Sequence, residues 1–270
     1  MKIAENCIKH NVMTILVYIL ISRKIAGDKA AKLDWKLNVR AGLLCGIFLT
    51  IASTLQQFGI KYTSVGKAGF ITTLYIIFVP MFGIFLKKKV APVVWAAAGM
   101  AAVGMYLLCM TESLRLGAGD IMVFLCAIAF AIQIMTVDHY AARIDGAVVS
   151  CIQFTVCGVV CCIGALIWGQ PTFGQIQEGL GALLYAGVLS CGVGYTLQIV
   201  GQKGLNPTVA ALIMSLESVI ATISGWIAYK IGFLSTDQTL TPRQIAGCII
   251  VFAAVILVQL PPEWFRFGKK

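Results

Sequence analysis

The chain has 270 residues, of which 59% are hydrophobic and 12% charged, and its mean hydropathy is +0.90. Because a soluble domain has about 25% charged residues, this composition excludes a soluble enzyme. A chain of this length accommodates about nine membrane-crossing helices of about 20 residues each. We interpret the net charge of +10 as an excess of Lys and Arg in cytoplasmic loops, rather than as a surface for nucleic acid.

Long apolar runs predict eight membrane spans. They are Val39 to Ile60, Val65 to Leu86, Pro92 to Met110, Ile121 to Val137, Ala147 to Trp168, Leu180 to Val200, Pro207 to Tyr229 and Gln244 to Leu260. A shorter run, Val12 to Ile21, is interpreted as a short or partial ninth span. The predicted fold class is therefore an all-α polytopic membrane protein, a helical bundle of about nine transmembrane helices.

The basic residues predict the orientation of these spans. With nine spans, two thirds of the 21 Lys and Arg residues fall in connections and a tail on one side of the membrane. Lys and Arg are enriched in cytoplasmic loops, so this side is predicted to be the cytoplasm. The C-terminus is then cytoplasmic, and the N-terminus lies outside.

An internal repeat organises the chain. The segment 54–61 recurs at 196–203 with Thr, Leu, Gln, Gly and Lys at matching positions, and Pro92 and Pro242 both stand at predicted helix starts. In the predicted topology the two copies cross the membrane in opposite directions. Inverted repeats of this kind are typical of secondary transporters, which hold their substrate between the two halves near the middle of the bilayer.

The repeated blocks resemble the drug/metabolite transporter superfamily, EamA type. The blocks are FGIKYTSVGKAGFITTLYIIFVPMFGIF, VGMYLL, GDIMVFLCAIAFAIQIMTVDHYA, NPTVAALIMSLESVIATISGWI and LTPRQIAGCIIVFAAVILV. The resemblance implies two inverted repeats, at 1–118 and 119–262, followed by a basic cytoplasmic tail at 263–270. It also implies a multi-pass carrier in a bacterial inner membrane that moves amino acids or other small organic metabolites.

The start of the chain departs from this pattern. The family has five helices in each repeat, and the Val12 to Ile21 run falls at the position of the second helix. The prediction is therefore four plus five helices of a five-plus-five architecture. Two hypotheses remain open: a first helix encoded upstream of this start, which we favour, or a non-transporting membrane partner or degenerate family member.

Glu217 is the most informative candidate site residue, because it lies near the middle of a predicted span. A carboxylate at the bilayer centre costs about 2.5–3.5 kcal/mol unless it is neutralised or bonded. On a helical wheel it shares a stripe of small residues with Ala221 and Ser224, whereas Leu212 and Val219 lie on the other side. We expect Glu217 to face protein or a cavity and to bind substrate or couple transport to protons; a structural carboxyl is the alternative.

The repeat aligns Tyr75 with Glu217, which makes Tyr75 a second candidate for the substrate site. Pro80 is predicted to kink the same helix, because it lacks a backbone N–H. Thr72 is a weaker candidate, since its hydroxyl can bond to its own helix. Packing is the alternative role for both side chains.

Glutamines supply most of the other polarity inside the spans. Gln133 is the best candidate among them, and Gln56 and Gln198 are predicted near opposite membrane faces, where gates would lie. Amides offer donors and acceptors without net charge, which fits polar or zwitterionic metabolites. The alternative is that these amides bond between helices.

The remaining features carry less functional weight. Lys67 is interpreted as a side chain that reaches the membrane interface. Gly42 and Gly46 form a small-xxx-small pair that predicts close helix packing. The ten cysteines are interpreted as packing residues, and we expect no catalytic residues, no cofactor and no metal site. The expected partners are a metabolite and the lipid bilayer, with a homodimer as one arrangement to test and no nucleic acid.

Overall fold

The computed structural model describes residues 34–87, 90–110, 117–168, 181, 187, 192–232 and 239–260. These residues form α-helices joined by short connections, without a β-strand among them. The helices are α1 (Trp35–Ile60), α2 (Val65–Thr73), α3 (Tyr75–Phe85), α4 (Pro92–Cys109), α5 (Ala118–Ala141), α6 (Gly146–Trp168), α7 (Thr196–Gly201), α8 (Pro207–Lys230) and α9 (Pro242–Gln259).

Seven membrane spans can be assigned within the described residues by length and hydropathy, with α2 and α3 together forming one of them. This confirms a polytopic helical membrane protein. The Val12 to Ile21 run and most of the Leu180 to Val200 run lie outside the described residues. The total of nine spans and the inverted layout therefore stay predictions.

The helix boundaries follow from local sequence. Pro92 and Pro242 begin α4 and α9, as predicted, because proline at a first helical position loses no intrahelical hydrogen bond. Thr241 and Gln244 form a capping box at the start of α9. The side chain of Asn206 accepts the N–H of Thr208 and so caps α8.

The chain packs as two compact units. Unit 1 takes its described residues from 34–57 and 132–205, and unit 2 from 58–131 and 206–260. Each unit therefore combines a segment from the first half of the sequence with a segment from the second. The units reflect packing, so they differ from the sequence repeats at 1–118 and 119–262, which remain a prediction.

Unit 1 has a core in which α1, α5, α6 and α7 meet. Its buried residues are Ala41, Cys45, Val137, Tyr140, Ile144, Val149 and Ile199. At one end of this core the side-chain oxygen of Asn38 accepts the N–H of Asp145 at 2.8 Å. The start of α1 is thereby tied to the short connection between α5 and α6.

Unit 2 is built around the close pair α4 and α9. A Cβ atom at Gly247 would lie 2.7 Å from the Gly104 carbonyl oxygen, so the two backbones touch where both residues are glycine. Beside this contact Met105, Leu108, Val219 and Val251 form a buried cluster that joins α8 to the pair. Unit 2 thus holds α8, the helix of Glu217, through one apolar side.

Candidate functional site

The side of α8 that packs within unit 2 is opposite to Glu217. Leu212, Ser215 and Val219 are buried along one side of the helix, whereas Glu217 is exposed. The apolar side that the helical wheel set apart from Glu217 is therefore the packed side in this unit. Glu217 lies in the middle of α8, and among the described spans it is the acidic residue farthest from a helix end.

Tyr75 lies close to Glu217, as the repeat alignment suggested. The two side chains are within electrostatic range of each other, and Tyr75 is half-buried as the first residue of α3. Directly before it the helix tightens into a 3₁₀ turn at Leu74, which we call the helix break: the Leu74 carbonyl accepts the N–H of Ile77 at 2.9 Å, and the Leu74 N–H donates to Ile71 at 3.1 Å. The turn at Leu74 therefore adjoins a tyrosine that is within electrostatic range of a mid-span carboxylate.

Pro80 lies inside α3, six residues after the turn at Leu74. Helix α3 continues through Pro80, and the interruption lies at Leu74, toward the N-terminus. Proline removes the hydrogen bond to the carbonyl four residues before it, which here is that of Ile76. A kink caused by Pro80 is therefore expected at Ile76 and stays a prediction.

Thr72 has a different environment from Tyr75. Its side chain is half-buried and shares a hydrogen bond with the thiol of Cys126 in α5. The bond connects α2 to α5 inside unit 2. This contact favours the packing role for Thr72 over a substrate-binding role.

Gln133 is fully buried in unit 1, and neither of its amide atoms has a hydrogen-bond partner. Gln153 in α6 has the same environment: its side chain is 0% exposed, and its amide nitrogen and oxygen are unpartnered. An unsatisfied buried polar group costs about 1–3 kcal/mol, so such groups are rare in native proteins. The two amides are the strongest sign of a polar binding site in unit 1.

Gln56 and Gln198 also belong to unit 1. Both side chains are half-buried, Gln56 near the end of α1 and Gln198 within the short helix α7. Three of the six predicted site residues lie in each unit. Gln56, Gln133 and Gln198 belong to unit 1, and Thr72, Tyr75 and Glu217 belong to unit 2.

A buried ion pair in unit 2 was missed by the sequence analysis. Lys67 and Asp120 are 7% and 2% exposed, and Lys67 Nζ lies 2.5 Å from Asp120 Oδ2. The interpretation of Lys67 as a side chain that reaches the interface is therefore wrong. The carboxylate also accepts the Thr63 hydroxyl at 2.6 Å and the Gly117 N–H at 2.7 Å. These three donors offset the cost of burying the charge.

A cavity of about 380 Å³ adjoins this ion pair. Its lining residues are Lys67, Phe70, Ile71, Leu74, Met110, Asp120, Ile121 and Phe124. All of them belong to unit 2. Six of these eight side chains are apolar, and Leu74 is the residue of the helix break before Tyr75.

The described residues contain no group of three or more His, Cys, Asp or Glu side chains that could hold a metal ion. The eight cysteines among them are free thiols. Besides these thiols, the polar groups that this part of the chain offers to a ligand are amides, hydroxyls and charged side chains.

Comparison with known proteins assigns the family. The model of the EamA-like transporter family matches residues 10–110 and 117–260, which is most of the chain. The chain belongs to the EamA-like transporter family. This confirms the resemblance to EamA-type members of the drug/metabolite transporter superfamily and makes the protein a membrane transporter.

Two relatives support the assignment of this EamA-like transporter. A protein of Archaeoglobus fulgidus named "Uncharacterized transporter" is 27% identical over 83% of this chain and 70% of its own length. Another of the same name, from Clostridium kluyveri, is 23% identical over 91% of this chain and 80% of its own. A crystal structure aligns with a TM-score of 0.74 over 98% of this chain and 88% of that chain, at 15% identity. At that identity the alignment shows a shared fold.

Proposed function

We propose that this EamA-like transporter is a secondary transporter that carries small polar organic metabolites, such as amino acids, across a bacterial inner membrane by alternating access. The observation that carries the proposal is the pair Tyr75 and Glu217 at the helix break in unit 2. A short 3₁₀ turn within a helix often marks a functional hinge or local strain. The excess of basic residues on one side supports a cytoplasmic C-terminus.

Glu217 is the residue that we assign to proton coupling. Its side chain is exposed on the side of α8 that does not pack in unit 2. The proposal requires this side to face the transport pathway. A mid-span carboxylate is costly in the membrane, and such residues commonly mark proton relays and substrate pathways. Tyr75 is the neighbouring group that would donate a hydrogen bond to a substrate or to the carboxylate.

The test is uptake by the purified full chain in proteoliposomes. A panel of radiolabelled amino acids and other small metabolites is supplied with and without an inward pH gradient. We expect at least one metabolite to accumulate and the gradient to raise its uptake severalfold. Absence of uptake across the panel, by protein that is folded and correctly inserted, would contradict the transport proposal and favour a non-transporting partner.

Glu217→Gln tests the coupling role, because the amide keeps the shape of the side chain but cannot release a proton. We expect uptake to lose its dependence on the pH gradient while the protein still inserts. Asp34→Asn is the matched control, since Asp34 is an exposed acid at the start of α1 and its replacement should leave the dependence unchanged. Undiminished gradient-driven uptake by Glu217→Gln would remove Glu217 from this role.

A further inference from the structure

Unit 1 contains a layer of buried polar side chains that lack hydrogen-bond partners. We define this amide layer as Gln133 in α5 with Ser150 and Gln153 in α6. The three side chains are 0%, 1% and 0% exposed, and all five of their polar side-chain atoms are unpartnered. Gln153 and Ser150 were not among the predicted site residues.

The packing of unit 1 places the two amides at one level. Gln133 precedes the core residue Val137 by one helical turn, and Gln153 follows the core residue Val149 by one turn. Helices α5 and α6 are joined by a connection of only a few residues, so they run antiparallel as neighbours. The turn before Val137 and the turn after Val149 therefore lie side by side.

Helix α1 closes the layer from a third side. A Cβ atom at Gly46 would lie 3.0 Å from the Gln153 carbonyl oxygen and 2.7 Å from the Val156 Cβ atom. Gly46 and Gln153 each lie roughly 12 Å along their helices from the tie between Asn38 and Asp145. Two independent contacts thus agree that α1 and α6 meet at this level, and Cys45 of α1 shares a buried cluster with Val137 of α5.

The chemistry of the layer selects for a ligand without net charge. Two amides and a hydroxyl supply both donors and acceptors, and none of them is ionised. The buried charged residues among the described positions are Lys67 and Asp120, and both lie in unit 2. A net charge in the amide layer would therefore have no buried countercharge in the described part of unit 1.

We propose that the amide layer binds the zwitterionic group of a neutral amino acid, with amide N–H groups of Gln133 and Gln153 on its carboxylate and their oxygens on its ammonium. Because the three side chains are closed to solvent in this conformation, entry of a ligand requires a change in the packing of unit 1. The proposal rests on the proposed transport function for its biological meaning, but binding can be measured without transport.

The test is equilibrium binding of tritiated alanine, leucine and glutamine to the full chain in nanodiscs. We expect saturable binding of at least one of them. Unlabelled zwitterion should compete, whereas ethylamine, propionate, glutamate and lysine should compete at least tenfold less well. Absence of binding by folded protein, or equal competition by the single-charge analogues, would overturn the proposal and leave the layer as a site for buried water.

Gln153→Leu should weaken binding at least tenfold, because it removes one amide of the pair. Gln202→Leu is the matched control: Gln202 is also a buried glutamine with unpartnered amide atoms in unit 1, but it lies beyond α7, near the start of α6. We expect Gln202→Leu to bind like the unmodified chain. Equal weakening by both changes, or none by Gln153→Leu, contradicts the assignment.

Two further measurements separate the possible failures. If Gln153→Leu does not fold, Ser150→Ala replaces it as the milder change, with an expected loss of about threefold to tenfold. Proteoliposome uptake is measured on the same samples. Binding without uptake would overturn the proposed transport function alone, whereas uptake that is unchanged in Gln153→Leu would overturn the amide-layer assignment alone.

Discussion

Asp120 in unit 2 and Gln133 in unit 1 are buried to a similar degree, but the surroundings of their polar atoms are opposite. The Asp120 carboxylate accepts hydrogen bonds from Lys67, Thr63 and Gly117. The Gln133 amide has no partner at either atom. The two residues therefore differ in the hydrogen bonds of their polar atoms and not in burial.

We expect the ion pair and the amide layer to have different roles. A buried charge with several donors is complete in the resting protein, so a ligand would gain little by displacing those donors. Unpartnered amides cost about 1–3 kcal/mol for each group and leave that energy to be recovered when a ligand binds. We expect changes near Asp120 to reduce stability and changes in the amide layer to reduce binding.

The largest expected effect comes from breaking the ion pair. Asp120→Ala leaves the Lys67 ammonium buried without its countercharge, which should reduce the free energy of unfolding by about 3–5 kcal/mol. The measurement is thermal unfolding of the detergent-solubilised protein, followed by the loss of its monodisperse peak in size-exclusion chromatography.

The double change Lys67→Met with Asp120→Leu is the control for this prediction. It removes both charges, so it should recover most of the lost stability, as apolar replacements of buried ion pairs commonly do. A double variant as unstable as Asp120→Ala would show that the lost hydrogen bonds to Thr63 and Gly117, rather than the loss of the countercharge of Lys67, cause the defect.

The ion pair also shows what the sequence could not predict. Lys67 and Asp120 belong to helices α2 and α5, and neither hydrophobic periodicity nor span length gives a distance between separate helices. The same limit applies to Gln153, whose sequence context resembles that of Gln133. Their shared level appears only when α5 and α6 pack against each other.

Other features were predictable because they depend on local rules. The sequence predicted that prolines begin α4 and α9, and the structure shows them at those positions. It also predicted close packing at Gly42 and Gly46, and both glycines lie against α6. The packed side of α8 was not predictable from its pattern. Lipid tails are as apolar as a protein core, so an apolar stripe in a membrane helix does not indicate which way it faces.

An intermediate effect is expected where α1 meets the amide layer. Gly46→Ala adds a Cβ atom 2.7 Å from the Val156 Cβ atom, so α1 must shift away from α6, at a cost of about 1–3 kcal/mol. Gly99→Ala is the control, because nothing lies within 4 Å of a Cβ atom there, and alanine in a helix should stabilise by about 0.5–1 kcal/mol. Equal thermal stability of the two variants would contradict the close contact of α1 and α6.

The smallest effect is the sharpest test of the comparison, because the chain offers the same chemical change in both settings. Ser150 and Ser215 are each 1% exposed. The Ser215 hydroxyl donates to the Leu212 carbonyl at 2.6 Å, whereas the Ser150 hydroxyl has no partner. Ser215→Ala should therefore cost about 0.5–1.5 kcal/mol of unfolding free energy, and Ser150→Ala should be neutral or stabilising.

The measurement is thermal unfolding of the two serine variants side by side in the same detergent. It shows which change lowers the stability of the protein and which does not. Both changes remove one oxygen from a buried helix position, so differences in helix propensity and in volume largely cancel. A loss of stability in Ser150→Ala as large as that in Ser215→Ala would mean that Ser150 is already satisfied, for example by a bound water. The amide layer would then be a hydrated structural feature, and the contrast with Asp120 would disappear.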